Sequence, residues 1–146
     1  MAEQIFHVGI KAIVVNSDDE IPMLKEVFPD GGMQWDVPGG RMDPGETFLQ
    51  TLTRELHEEI GVEEYTTAEH FSTALSNKQI KTEHGPVALV LVVYRVTLPK
   101  DASPIAVEEG VELSWQPVEV ATKLLLDKYP PEFVNKLAVR KKGLAR

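Results

Sequence analysis

The chain contains no cysteine, which excludes disulfides, thiolate metal sites and a cysteine nucleophile. A thiol-free chain fits a reducing compartment, and a cytoplasmic location is the expectation. Long hydrophobic runs are missing too. The longest apolar stretch, Val87 to Val93, is far too short to span a bilayer, and the opening MAEQIFHVGIKA has no basic region followed by a long apolar core. A soluble chain with no membrane partner is expected. Positive charge is scarce: 15 Lys and Arg against 23 Asp and Glu give a formal net charge of -8. No basic excess is available to displace counterions, so stable binding to a nucleic-acid polyanion is not expected. A phosphorylated ligand would need cations between it and the protein.

What remains is sufficient for one core. At 146 residues and 42% hydrophobic content the chain predicts a single domain, 1–146, with no room for a second. The segment HVGIKAIVVN, His7 to Asn16, alternates as a strand, and after the polar turn Ser17-Asp18-Asp19-Glu20 the residues Ile21 to Val27 are expected to return as the second strand of a hairpin. Gln34 to Val37 is a short extended piece that Pro38 ends, and Gly39-Gly40 permit a tight backbone path beyond it. Val87 to Leu98 is the strongest strand signal, and its nearly unbroken apolar start predicts burial on both faces in the middle of a sheet. Glu108 to Trp115 reads as an acidic loop entering a last strand. Pro117 to Leu126 and Pro131 to Val139 read as helices with proline near the start. The basic end, Arg140-Lys141-Lys142 with Arg146, reads as a solvated tail.

The densest signal lies between Gly40 and Val62, GRMDPGETFLQTLTRELHEEIGV. Two capping-box patterns compete for the helix start, Asp43 to Glu46 and Thr47 to Gln50. The first would place Gly45 in the opening turn, whereas Pro44-Gly45 suits a turn; Thr47 is therefore the predicted cap and Gly61 the stop. At 100° per residue Phe48, Leu49, Leu52, Leu56 and Ile60 share an apolar arc, and Glu55, Glu58 and Glu59 form an acidic arc at its edge. Three glutamates at i, i+3 and i+4 repel one another when ionised, so a counter-charge is required. Mg²⁺ prefers oxygen donors and often bridges carboxylates to substrate phosphates; Mn²⁺ would also fit. Arg54, beside the acidic arc and four residues before Glu58, reads as an orienting partner for carboxylates, Glu46 among them.

The spacing of Gly40, Glu46, Arg54-Glu55-Leu56, Glu58-Glu59 and Gly61-Val62 resembles the signature of the Nudix hydrolases without a departure. The resemblance implies an α/β fold, a Nudix-type α/β/α sandwich around a mixed β-sheet. It implies a metal-dependent pyrophosphohydrolase acting on a nucleoside diphosphate linked to a further group X, a small-molecule nucleotide. Glu59, Glu55 and Glu58 become metal ligands, one of the latter two a general base, with Gly40 offering a backbone carbonyl and Glu46 and Arg54 supporting them. The family often adds a carboxylate from a loop outside this stretch, for which Glu109 is the candidate, with Glu108 and Glu112 as alternatives. Trp35 and Arg41 are candidate substrate contacts. The four histidines, His7, His57, His70 and His84, show no ligand spacing. The proline expected near Ser76 in ADP-ribose hydrolases is missing, as is a tyrosine from Lys78 to Ile80 that marks some dinucleoside polyphosphate hydrolases. Elimination leaves nucleoside triphosphates; the alternatives are those two substrate classes or a catalytically silent nucleotide sensor. The loops around Phe28, Asn77 and Glu109 are expected to select X.

Overall fold

A computed structural model describes the backbone of residues 3–144 and side chains through residue 139. The side chains of the basic tail, Arg140 to Lys142 and Arg146, lie outside the described residues, although helix α3 continues through its first part. Among the described residues, eight strands and three helices follow in the order β1 (Phe6–Val14), β2 (Glu20–Val27), β3 (Met33–Asp36), β4 (Gly39–Arg41), α1 (Phe48–Ile60), β5 (Thr67–Leu75), β6 (Ile80–Thr82), β7 (Gly85–Thr97), β8 (Val111–Pro117), α2 (Val118–Leu125) and α3 (Pro131–Leu144).

The mixed sheet runs β4-β1-β7-β5, with β6 folded back on the start of β7. The long apolar strand β7 sits inside it as expected, parallel to β1 and antiparallel to β5. A second, antiparallel sheet runs β3-β2-β8. The expected hairpin between β1 and β2 is therefore not formed. The turn itself is tight, with Asn16 Oδ1 accepting from the amides of Asp18 and Glu20 at 3.0 and 2.9 Å. Beyond it the strands part, because both edges of β1 are taken by β4 and β7, while β2 is sandwiched by β3 and β8.

Strand alternation divides the core in two. Ile10, Ala12 and Val14 of β1 join Val92 and Val96 of β7 in packing on Leu52, Leu56 and Ile60 of α1. Ile13, Leu89, Leu91 and Val93 point the other way, onto Leu125, Tyr129, Phe133 and Leu137 of the α2–α3 layer. The result is an α/β fold with helices on both sides of a mixed sheet. Among the described residues no helix is long and apolar enough to cross a membrane.

Helix α1 begins and ends where its caps predict. Thr47 accepts from the Gln50 amide and the Gln50 side chain accepts from the Thr47 amide, a complete capping box, and Gly61 closes the helix at φ 69°. The apolar arc needs one correction. Phe48 and Leu49, in the opening turn, are 42% and 45% exposed; burial starts one turn later at Thr51 and Leu52. Thr51 is tolerated inside because its hydroxyl bonds to Glu46 Oε1 at 2.8 Å and to the Thr47 carbonyl. Leu52→Ala, which empties a fully buried position, is expected to cost about 2–5 kcal/mol in a denaturant titration, whereas the same change at Leu49 should fall within about 0.5 kcal/mol.

Candidate metal and phosphate site

One face of α1 turns its carboxylates toward the short strand β4. Glu55, 9% exposed, abuts Gly40 so closely that a Cβ there would lie 2.4–2.5 Å from the carboxylate. Glu59 Oε1 accepts from the Gly39 amide at 2.8 Å. Glu58 is further out, with 54% of its side chain exposed. Arg54 ties the group together. Its Nε donates to Glu46 Oε2 at 2.7 Å and its Nη2 to Glu46 Oε1 at 2.9 Å, a two-pronged clamp, while Nη1 reaches Glu55 Oε1 at 2.8 Å and Glu58 Oε2 at 3.2 Å. Nη2 also donates to the Arg41 carbonyl at 3.1 Å, which fixes the end of β4 to the helix. Glu46 is braced in turn by the Asp43 amide at 2.9 Å.

This arrangement separates the carboxylates electrostatically. The Arg54 hydrogen bonds, helped by the Asp43 amide, lower Glu46 to about 2, and the guanidinium is driven upward by the same contact. Burial pushes Glu55 and Glu59 above the ordinary carboxylate range, opposed by Arg54 at Glu55 and by Lys11 and the Gly39 amide at Glu59. The site thus holds two carboxylates whose ionisation burial makes costly.

Among the described residues no three His, Cys, Asp or Glu side chains converge into a preformed metal cage. The donors present still fit Mg²⁺ or Mn²⁺, which are bound through one or two carboxylates, waters and substrate phosphates instead of an all-protein shell. The space that only a glycine leaves at position 40, directly over the Glu55 carboxylate, is the observation that supports this fit.

The expected residues outside the helix are placed as follows. Glu108, and not Glu109, lines the cleft that holds Glu59, together with Gln34, Asp36 and Lys11. The loop before β8 is pinned there by the Val107 amide on the Glu59 carbonyl (3.1 Å) and the Ile105 amide on the Ile60 carbonyl (3.0 Å). Trp35 faces away from that cleft: alternation along β3 gives Gln34 and Asp36 to it and turns Trp35 onto the core beside α2 and α3, with Lys25 Nζ 5.8 Å from its ring centroid. Arg41 lines a separate open depression with His7, Asp43, Arg54 and Glu55, and its Nη1 lies 3.2 Å from His7 Nδ1. Asn77, expected in a selective loop, instead bonds to the carbonyls of Leu126 and Tyr129.

Sequence reasoning passed over Asp36 and Lys11. Asp36 Oδ2 pairs with Lys11 Nζ at 3.1 Å and with Lys128 Nζ at 2.5 Å, and its Oδ1 accepts from Tyr129 Oη at 2.7 Å. A signal for Lys11 existed: it is the single charge in the apolar run from Val8 to Val15. Nothing local pointed to Lys128.

Comparison with known proteins places the fold in one family. The NUDIX domain family model matches residues 5–137. The 8-oxo-dGDP phosphatase NUDT18 of Mus musculus is 38% identical over 53 residues, 36% of this chain and 16% of that protein, so the match spans a small part of that relative. The RNA pyrophosphohydrolase of Pseudoalteromonas translucida is 29% identical over 132 residues, 88% of this chain and 67% of that protein. A solved MutT structure from work on Aliivibrio salmonicida and Vibrio cholerae superposes with a TM-score of 0.64 at 26% identity, covering 93% of this chain and 99% of that one. With the family model spanning nearly the whole fold, the chain belongs to the NUDIX domain family.

Proposed function

We propose that this chain is a metal-dependent pyrophosphohydrolase that cleaves a phosphoanhydride of a nucleoside diphosphate linked to a further group, by attack of water at phosphorus, with nucleoside triphosphates as the favoured class. The observation that carries the reading is the buried Glu55 carboxylate seated over Gly40 and held by Arg54, one turn from Glu59. The names of the relatives, an 8-oxo-dGDP phosphatase and an RNA pyrophosphohydrolase, support hydrolysis at nucleotide phosphates.

In this reading Glu55, Glu58 and Glu59 hold Mg²⁺ or Mn²⁺, with the Gly40 carbonyl as a further donor. The bound cation supplies neutralisation of phosphate charge and a more acidic water. The residues do the rest. Arg54 keeps Glu55 and Glu58 at fixed positions, so the water's proton has two acceptors at hand. Glu46 prevents Arg54 from turning to the substrate. Arg41, which lines one depression with Glu55, would meet a phosphate oxygen in this reading. Glu108 brings a further carboxylate to the cleft wall in the role first assigned to Glu109.

Arg54→Lys separates positioning from folding. A lysine is a single point donor and cannot span Glu46, Glu55 and Glu58 together. Turnover is expected to drop roughly 10- to 100-fold in a phosphate-release assay with Mg²⁺, with the circular dichroism spectrum unchanged.

The direct test is a hydrolysis panel of nucleoside triphosphates, an oxidised guanine nucleotide, ADP-ribose, a dinucleoside polyphosphate and a 5′-triphosphorylated RNA, with Mg²⁺ and with chelator, paired with calorimetry. Metal-dependent turnover is the expected result, highest on a mononucleotide. Tight binding without turnover across the panel would make the chain a nucleotide sensor and overturn the proposal.

A further inference from the structure

The floor of the cleft contains a buried polar array that the proposed chemistry does not use. Four donors converge on Asp36 at the end of β3: Lys11 Nζ and Lys128 Nζ on Oδ2, and Tyr129 Oη and the Val37 amide on Oδ1. Lys11 Nζ also donates to the Val37 carbonyl at 3.2 Å, so the carboxylate and the ammonium grip the same residue from both sides. The next carbonyl, Pro38, accepts from the Ala12 amide at 2.9 Å. The following amide, Gly39, is the one that donates to Glu59. Four consecutive residues therefore connect the Asp36 node to the carboxylate of the candidate ligand.

The node reaches across the molecule. Lys128 and Tyr129 belong to the connection between α2 and α3, and Lys128 lies 92 positions from Asp36 in sequence. That connection is itself fixed. The Asn77 amide and Ser76 Oγ donate to the Lys128 carbonyl at 2.7 and 3.3 Å, and Asn77 Nδ2 donates to the carbonyls of Tyr129 and Leu126 at 3.1 and 3.2 Å. Two ammonium groups on one buried carboxylate add little net stability, because desolvation offsets their attraction. What such an array provides is direction. Outer partners of metal ligands act in this way, fixing the orientation of the groups that touch the ion.

We infer that Asp36 and Lys128 are positioning residues for Glu59, acting through the Val37–Gly39 backbone that donates to its carboxylate. The inference rests on reading Glu59 as a metal ligand. It adds that the α2–α3 connection, with the loop at Ser76 and Asn77 behind it, sets the geometry of the site from the opposite helical layer.

The test uses the full chain and two readouts. In the metal-free protein, the exchange rate of the Gly39 amide is measured by NMR, with the β5 amides as internal control. In parallel, Mn²⁺ affinity is measured by electron paramagnetic resonance. Lys128→Met keeps an unbranched side chain one atom shorter, without the charge, and leaves Lys11 and Asp36 as a one-to-one pair. It is expected to speed Gly39 exchange roughly tenfold and to weaken Mn²⁺ binding roughly 10- to 100-fold. Lys128→Arg should restore most of both, and Asp36→Asn should exceed Lys128→Met if it folds. Unchanged Gly39 exchange and unchanged Mn²⁺ affinity in Lys128→Met, with only the melting temperature moving, would overturn the inference. Glu59→Gln, assayed beside them, distinguishes the two failures: if it weakens Mn²⁺ binding while Lys128→Met does not, only the positioning role falls. If it does not, the ligand reading falls and the inference with it.

Discussion

Glu59→Gln is expected to lower Mg²⁺-dependent turnover by more than about a hundredfold, because loss of an outer partner alone reaches that size and a ligand should cost more. The same change should raise the melting temperature at neutral pH. Burial lifts Glu59 above its ordinary value of 4.5, so the folded state holds its proton more tightly than the unfolded state does. Ionised Glu59 therefore opposes folding. That penalty is absent below the unfolded value, grows as pH rises through the window up to the raised folded value, and is constant above it. Glutamine, which can still accept the Gly39 amide, removes it. A melting series should show the variant ahead of the parent at pH 7 and the two converging near pH 4. Glu46 runs the opposite way: lowered to about 2, it supports the fold above 4.5, and that support is lost as pH falls from there toward 2. Full turnover in Glu59→Gln would refute its assignment as a ligand.

The adjacent glycines of β4 should respond in opposite ways to the same added methyl. At Gly39 a Cβ would lie 2.1 Å from the Ile10 carbonyl oxygen and 2.7 Å from Lys11 Cα, at φ 141°, where side chains are strained. The obstacle is backbone on the central sheet, so Gly39→Ala is expected to cost about 3–5 kcal/mol in chemical denaturation. At Gly40 the obstacle is the Glu55 carboxylate at 2.4–2.5 Å, the movable end of a side chain. Gly40→Ala should therefore fold with a melting temperature near the parent's while losing most of its turnover, since Glu55 must leave both its seat and Arg54 Nη1. Equal destabilisation in the two variants would mean that Glu55 has no freedom to yield, and full activity in Gly40→Ala would remove Glu55 from the chemistry.

The parts of the fold that were legible in the sequence are those governed by neighbours along the chain. Thr47, Gln50 and Gly61 fixed both ends of α1 because caps are local chemistry. The i, i+3, i+4 spacing put three carboxylates on one face for the same reason. The unbroken apolar start of β7 announced its central place because residues buried on both faces leave no polar alternation. The misses share a different cause. Periodicity shows which face of a strand is covered but not which strand lies beside it, so Ile21 to Val27 looked like the partner of β1 when its neighbours are β3 and β8. Phe48 sits on the apolar arc of the wheel yet is exposed in the opening turn, and a wheel has no length. Glu108 and Glu109 cannot be distinguished by composition; the choice depends on two amides, Ile105 and Val107, tethering the loop to the end of α1. Asp36 became visible only when Lys128 and Tyr129 arrived from the far end of the chain to meet it.

The central claim is that water attacks phosphorus at a cation held by the α1 glutamates. It is tested most directly by incubating the chain with a nucleoside triphosphate and Mg²⁺ in ¹⁸O-labelled water and following the products by ³¹P NMR and mass spectrometry. The expected result is one labelled oxygen in one of the two phosphate-bearing products, present with Mg²⁺, absent with chelator and absent in Glu59→Gln. Bound nucleotide that remains intact and unlabelled, with a positive control enzyme turning over in the same tube, would contradict the account.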